Sequence, residues 1–132
     1  METIQRALII NPDEKFLLIK HKNTGKWTFP GGQLDPDEMP SKDLIHEVKS
    51  RIGLDVEVIY QFFSSMMKEG EKQIFNVAYL CRLKGAAKIK LGNDYSESKW
   101  AKIGELKKLE LENDQIVEMA DKAMAVLGGG GE

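Results

Sequence analysis

The stretch Phe29–Leu54, FPGGQLDPDEMPSKDLIHEVKSRIGL, runs from a Pro-Gly-Gly break through an acidic, turn-forming segment into a regular apolar repeat. Gly31 and Gly32 permit backbone angles closed to other residues and expose main-chain amides and carbonyls. Beyond them, Leu44, Ile45, Val48 and Ile52 recur at three- and four-residue spacing. That is the helical period, and it predicts a helix over Ser41–Ile52 with Ser41 capping its start and Gly53 its end. Glu47, Ser50 and Arg51 then share one face of the helix beside the Gly-Gly turn. Three carboxylates so placed would form a hard-oxygen nest for Mg²⁺ bridged to phosphate. Here two of the three positions carry a hydroxyl and a guanidinium.

On the N-terminal side, IQRALII and KFLLIK are aliphatic runs separated by Asn11-Pro12-Asp13-Glu14, a pattern that predicts a hairpin. Downstream, VEVIYQFFSSMM and QIFNVAYLCRL flank the polar KEGEK and predict a second hairpin. ESKWAKI reads as a short late strand followed by a helical turn around Glu105 to Lys108. From Asn113 to Leu127, Ile116, Ala120, Ala123, Met124 and Leu127 form one stripe of an amphipathic terminal helix packed on the sheet. Residues 1–127 are expected to form one domain and residues 128–132 a disordered glycine-rich tail.

Composition narrows the function classes. A chain of 132 residues with 42% hydrophobic content suits one compact core. A formal net charge of −2 gives no general attraction to nucleic acid, so a polyanion must be met by a local group of cations. The single cysteine, Cys81, lies in an apolar run and reads as a buried structural thiol, which excludes an intrachain disulfide and a cysteine zinc cluster. No apolar run approaches the about 18 residues a membrane helix needs, and METIQRALII is too polar for a signal peptide. A cytoplasmic protein without a membrane partner is expected.

The opening stretch resembles the Nudix box, G-x5-E-x7-R-E-U-x-E-E-x-G-U, the signature of Nudix hydrolases of the MutT-like type. Gly32, Glu38, Glu47, Val48, Gly53 and Leu54 fall on pattern positions with the right spacing. His46 stands where the pattern has arginine, and Ser50 and Arg51 stand where it has its glutamate pair. LLIKHKNTGKWTFPGG and ESKW are similar to the family's entry segment and late strand. The resemblance implies an α/β fold, an α/β/α sandwich around a mixed sheet. It also implies hydrolysis of a nucleoside diphosphate derivative with Mg²⁺ or Mn²⁺.

By the same resemblance the metal would be held by Glu47, the Gly31 carbonyl and a late acid, Glu97 or Asp94, with Glu47 and Glu97 as the catalytic acids. Loss of the acid pair makes weak or absent turnover the expectation, and no metal cofactor at all remains open. Arg51 lies four residues after Glu47 and has two open roles: a helix-surface ion pair, or a clamp on substrate phosphate. The second role suits a non-catalytic nucleotide- or phosphate-binding module. His46 reads as a structural histidine, Glu38 as a brace for the loop or a cap for the helix, and Trp27 and Phe29 as either packing or a stacking surface for a base. Whether Ser50 and Arg51 are original or altered, which nucleotide derivative is bound, and whether the chain is a monomer or a homodimer all stay open.

Overall fold

A computed structural model describes residues 2–128. The elements are β1 (Glu2–Ile9), β2 (Phe16–His21), β3 (Trp27–Thr28), β4 (Gly31–Leu34), α1 (Pro40–Ile52), β5 (Val56–Glu69), β6 (Lys72–Leu83), β7 (Tyr95–Ala101), α2 (Ile103–Leu106) and α3 (Gln115–Leu127). Four strands form a mixed sheet in the order β4-β1-β6-β5, with β1 parallel to β6 and the other pairs antiparallel. The other three form an antiparallel sheet in the order β3-β2-β7.

Alternation along the strands builds two cores. Ala7, Ile9, Leu17, Ile19, Val77 and Tyr79 face α1, where Leu44, Val48 and Ile52 meet them. Leu8, Phe16, Leu18 and Ala78 face the opposite way, toward Leu106 of α2 and Ile116, Ala120 and Ala123 of α3. The result is the α/β/α sandwich implied by the resemblance.

Two strand predictions fare differently. The second hairpin forms as expected, β5 and β6 pairing antiparallel around Gly70, which has φ +68°. The first does not. Both edges of β1 are occupied, by β4 and β6, so β2 leaves for the other sheet and only an Ile10–Phe16 bridge joins the two runs. Asn11 turns the chain instead: its Oδ1 accepts from the amides of Asp13 and Lys15, both at 3.0 Å.

Helix ends also shift. α1 begins at Pro40 with Met39 as N-cap, so Ser41 lies inside the helix and does not cap it; proline at the first position suits a helix start. Gly53 closes α1 as expected, with φ +76° and its amide donating to the Lys49 carbonyl. α2 starts at Ile103, before the expected turn, because the Glu105 carboxylate accepts from the Lys102 amide at 2.9 Å. α3 starts at Gln115 because Asn113 Oδ1 takes the Gln115 amide at 3.0 Å. Its buried stripe includes Met119, whereas Leu127, expected inside, is 46% exposed. Residues 129–132 of the expected tail lie outside the described residues.

Candidate functional site

The apolar side of α1, anchored by Leu44, Val48 and Ile52, leaves Glu47 and Arg51 beside Gly32 at the start of β4. Gly32 makes that approach possible. A Cβ on Gly32 would lie 3.2 Å from Glu47 Oε2 and 3.5 Å from an Arg51 terminal nitrogen. Gly31 is needed for a different reason: its φ is +147°, and a Cβ there would stand 2.0 Å from the Gln5 carbonyl oxygen on β1.

Arg51 Nε donates to Glu47 Oε2, the i,i+4 ion pair that the spacing allows. Arg51 Nη1 donates to the Tyr95 hydroxyl at 3.3 Å, tying α1 to the start of β7. These bonds, Glu47 foremost, raise the already high pKa of Arg51 against the opposing effect of burial. The guanidinium is therefore a permanent cation, and with 39% of the side chain exposed it remains open to solvent.

Arg51 lines a cavity of about 270 Å³ together with His21, Asn23, Asp94, Tyr95 and Glu112. Glu112 is the hub of its floor. It accepts from Arg6 Nη2 at 2.8 Å and from the Thr28 hydroxyl at 3.3 Å, and it lies 3.1 Å from His21 Nε2. Its own amide donates to the Trp27 carbonyl at 2.9 Å, which clamps this segment beside β3. The Arg6 side chain is 12% exposed, and desolvation lowers its pKa while Glu112 pulls the other way. Arg6 also donates to the Phe29 carbonyl at 3.2 Å.

The structure therefore sets Gly32 beside Glu47 and Arg51, and places Asp94 with Arg51 on the cavity wall. It does not bring Glu97 there. Glu97 pairs with Lys20 on β2, and their Nζ to Oε2 distance is 3.2 Å. That ladder position falls on the face of the sheet that carries Trp27, away from α1, and the Lys20 ammonium sits 5.7 Å from the Trp27 ring centre. Phe29 is fully buried edge-on against Phe16, with ring centres 5.9 Å apart, and offers no face to a base. Trp27 is only 8% exposed. The burial of both aromatics favours packing that fixes the loop over the stacking surface, the two roles the sequence left open. His46 and Ser50 are exposed on α1. Glu38 accepts from the Asp35 amide at 3.1 Å, bracing the loop ahead of the helix.

Arg6, His21, Tyr95 and Glu112 were not singled out from the sequence. They come from four separated segments, and only the pairing of residues 110–112 with β3 brings the last of them into place. A larger cavity, about 690 Å³, lies beside the C-terminal end of α1 among Lys49, Lys84, Lys88 and Lys90. Its exposed lysines complement the carbonyl end of the helix, and no residue of the Gly-Gly turn reaches it.

A family model described as the NUDIX domain matches residues 4–120. The chain belongs to the NUDIX family. A MutT-like protein of Streptomyces ambofaciens is 28% identical over 79 residues, 60% of this chain and 50% of that protein. An 8-oxo-dGTP diphosphatase of Proteus vulgaris is 42% identical over 38 residues, 29% of this chain and 34% of that protein. The matched stretches thus span half or less of these curated relatives. Among solved structures, an Ap4A hydrolase binary complex from C. elegans superposes with a TM-score of 0.83 at 18% identity, over 98% of this chain and 99% of that one. A MutT protein from Methanosarcina mazei Go1 gives 0.79 at 23% identity, over 92% and 94%. At these identities the superpositions establish the NUDIX fold.

NUDIX hydrolases generally use divalent metals such as Mg²⁺. The residues present here fit that group poorly. Among the described residues no three His, Cys, Asp or Glu side chains cluster as a metal site. Glu47, the α1 acid that matches the family pattern, already accepts from a guanidinium. No helix among the described residues is long and apolar enough to cross a membrane.

Proposed function

We propose that this NUDIX chain binds a nucleoside diphosphate derivative through its phosphates, and that it turns the ligand over slowly or not at all. The observation that supports this reading is Arg51. It occupies a position where the family carries a metal-binding glutamate, lines the cavity, and presents a permanent, forked cation to it. A guanidinium there takes over the charge neutralisation that a divalent ion gives a diphosphate, but it activates no water. Tyr95 and Glu47 hold the fork in place, and Asn23 adds an uncharged donor at the cavity wall.

The test is thermal shift with nucleoside diphosphates, nucleotide sugars and pyrophosphate in EDTA. A cation clamp stabilises the folded chain without metal, and Arg51→Ala abolishes the effect. Metal-dependent turnover of any nucleoside diphosphate derivative at about 1 s⁻¹ or faster, the ordinary enzyme range, would refute the reading.

One observation favours the rival reading of metal-dependent hydrolysis: Asp94 lines the same cavity as Arg51, so a carboxylate is available besides Glu47 and the Gly31 carbonyl. On that reading EDTA removes all ligand-induced stabilisation, Mg²⁺ or Mn²⁺ restores it, and Asp94→Asn weakens the response to metal.

A further inference from the structure

Gln5 is 1% exposed, and among the described residues neither its Nε2 nor its Oε1 has a hydrogen-bond partner. A buried carboxamide with both ends unmet is costly, and the sheet register shows what lies beside it. Gln5 is directly opposite Gly32 in the β1–β4 ladder, so the two positions project to the same face of the sheet. A Cβ at Gly32 would point at Glu47 Oε2, 3.2 Å away. Because Gly32 has no side chain, that ladder position puts no bulk between Gln5 and the Glu47 carboxylate; the Arg51 guanidinium lies alongside, with Nε 3.6 Å from the same Cβ position. Opposed Cβ positions in such a ladder are about 5 Å apart, within the span of a glutamine side chain.

We propose that Gln5 is a positioning residue for Glu47. When an anion draws the Arg51 guanidinium into the cavity, the Glu47 carboxylate turns inward and accepts the Gln5 Nε2–H. The inference rests on the clamp reading and adds to it the step that the clamp needs. As the structure stands, Arg51 is engaged by Glu47. Freeing it for a ligand would strand a carboxylate that is only 23% exposed, and Gln5 supplies the replacement donor. The competing acceptor is Asp43 Oδ2, buried, without a partner, and one helical turn before Glu47.

The hand-over can be tested without any ligand. Gln5→Leu in the otherwise unaltered chain removes an unmet polar group and is expected to raise Tm. In the Arg51→Ala background Glu47 has no other partner, and the same substitution is expected to lower Tm. A reversal of sign that disappears when Glu47→Gln is added supports the proposal. An equal rise in both backgrounds, or a fall in both that persists with Glu47→Gln, overturns it, the latter assigning Gln5 to Asp43. Gln5→Met repeats the comparison should the leucine pack poorly. In a second arm, pyrophosphate binding in EDTA is expected to weaken about tenfold in Gln5→Leu, the effect of one hydrogen bond to a charged group. Binding by the unaltered chain with no change in Gln5→Leu overturns the hand-over alone. Absence of binding by the unaltered chain overturns the clamp reading and the hand-over together.

Discussion

Introducing the family's acid pair, Ser50→Glu with Arg51→Glu, is expected to create a divalent-metal site where the unsubstituted chain has a poor one. The magnitude follows from charge. Arg51→Glu changes the local charge by two units and Ser50→Glu by one, a swing of three. At an effective dielectric of about 20, unit charges roughly 4 Å apart interact by about 4 kcal/mol. The Arg51 side chain is 39% exposed and Ser50 lies on the outer surface, so screening removes much of that. The first substitution also frees Glu47 from its ion pair, which returns a third carboxylate to the same face. A retained gain of about 3 kcal/mol corresponds to roughly a hundredfold lower Kd. Mn²⁺ titration followed by electron paramagnetic resonance or calorimetry measures it directly. Should the unsubstituted chain bind Mn²⁺ as tightly as the doubly substituted one, the electrostatic argument about Arg51 is wrong.

Three further outcomes concern the scaffold. Glu112→Ala leaves the Arg6 guanidinium, whose side chain is 12% exposed, with only the Phe29 carbonyl; a loss of about 3 kcal/mol in urea unfolding is expected, and a much smaller one for Glu112→Gln. Gly31→Ala forces a Cβ to within 2.0 Å of the Gln5 carbonyl at a backbone angle that favours glycine, so it should part β4 from β1 and cost about 3 kcal/mol or more by the same assay. Burial pushes the Cys81 thiol from its ordinary 9.0 up to about 12. Because the folded value is raised, that contribution to stability is whole below pH 9 and is lost as pH rises toward 12; the urea midpoint should fall across this window less in Cys81→Ala than in the unsubstituted chain.

The sequence made some of this legible and hid the rest for physical reasons. The α1 repeat and the Gly53 stop were readable because helix periodicity and a left-handed cap are local signals. The β5–β6 pairing was readable because its turn is short. The supposed β1–β2 hairpin failed because adjacency in sequence says nothing about which strand edges are already taken. The Glu47–Arg51 pair was visible from its four-residue spacing. Tyr95 as second partner of Arg51, and Glu112 as partner of Arg6, His21 and Thr28, are products of tertiary packing. Trp27 and Phe29 were left between packing and stacking because an aromatic beside a glycine turn has the same local pattern whether it faces a ligand or the core, and only their burial favours packing.

The NUDIX scaffold keeps its shape here despite the altered box because shape and chemistry occupy different sides of α1. Leu44, Val48 and Ile52 bury the helix, while His46 and Ser50 are exposed and Arg51 is partly so. Replacing the acid pair therefore disturbs no core contact. The glycines, by contrast, answer to backbone geometry: Gly31 to the Gln5 carbonyl, Gly32 to the close approach of Glu47 and Arg51. A chain that retains both glycines while carrying a cation beside them still has a reason to bring α1 close to the turn. Arg51 in contact with Glu47 and Tyr95, at the wall of a cavity, supplies that reason if the opening takes an anion rather than a metal.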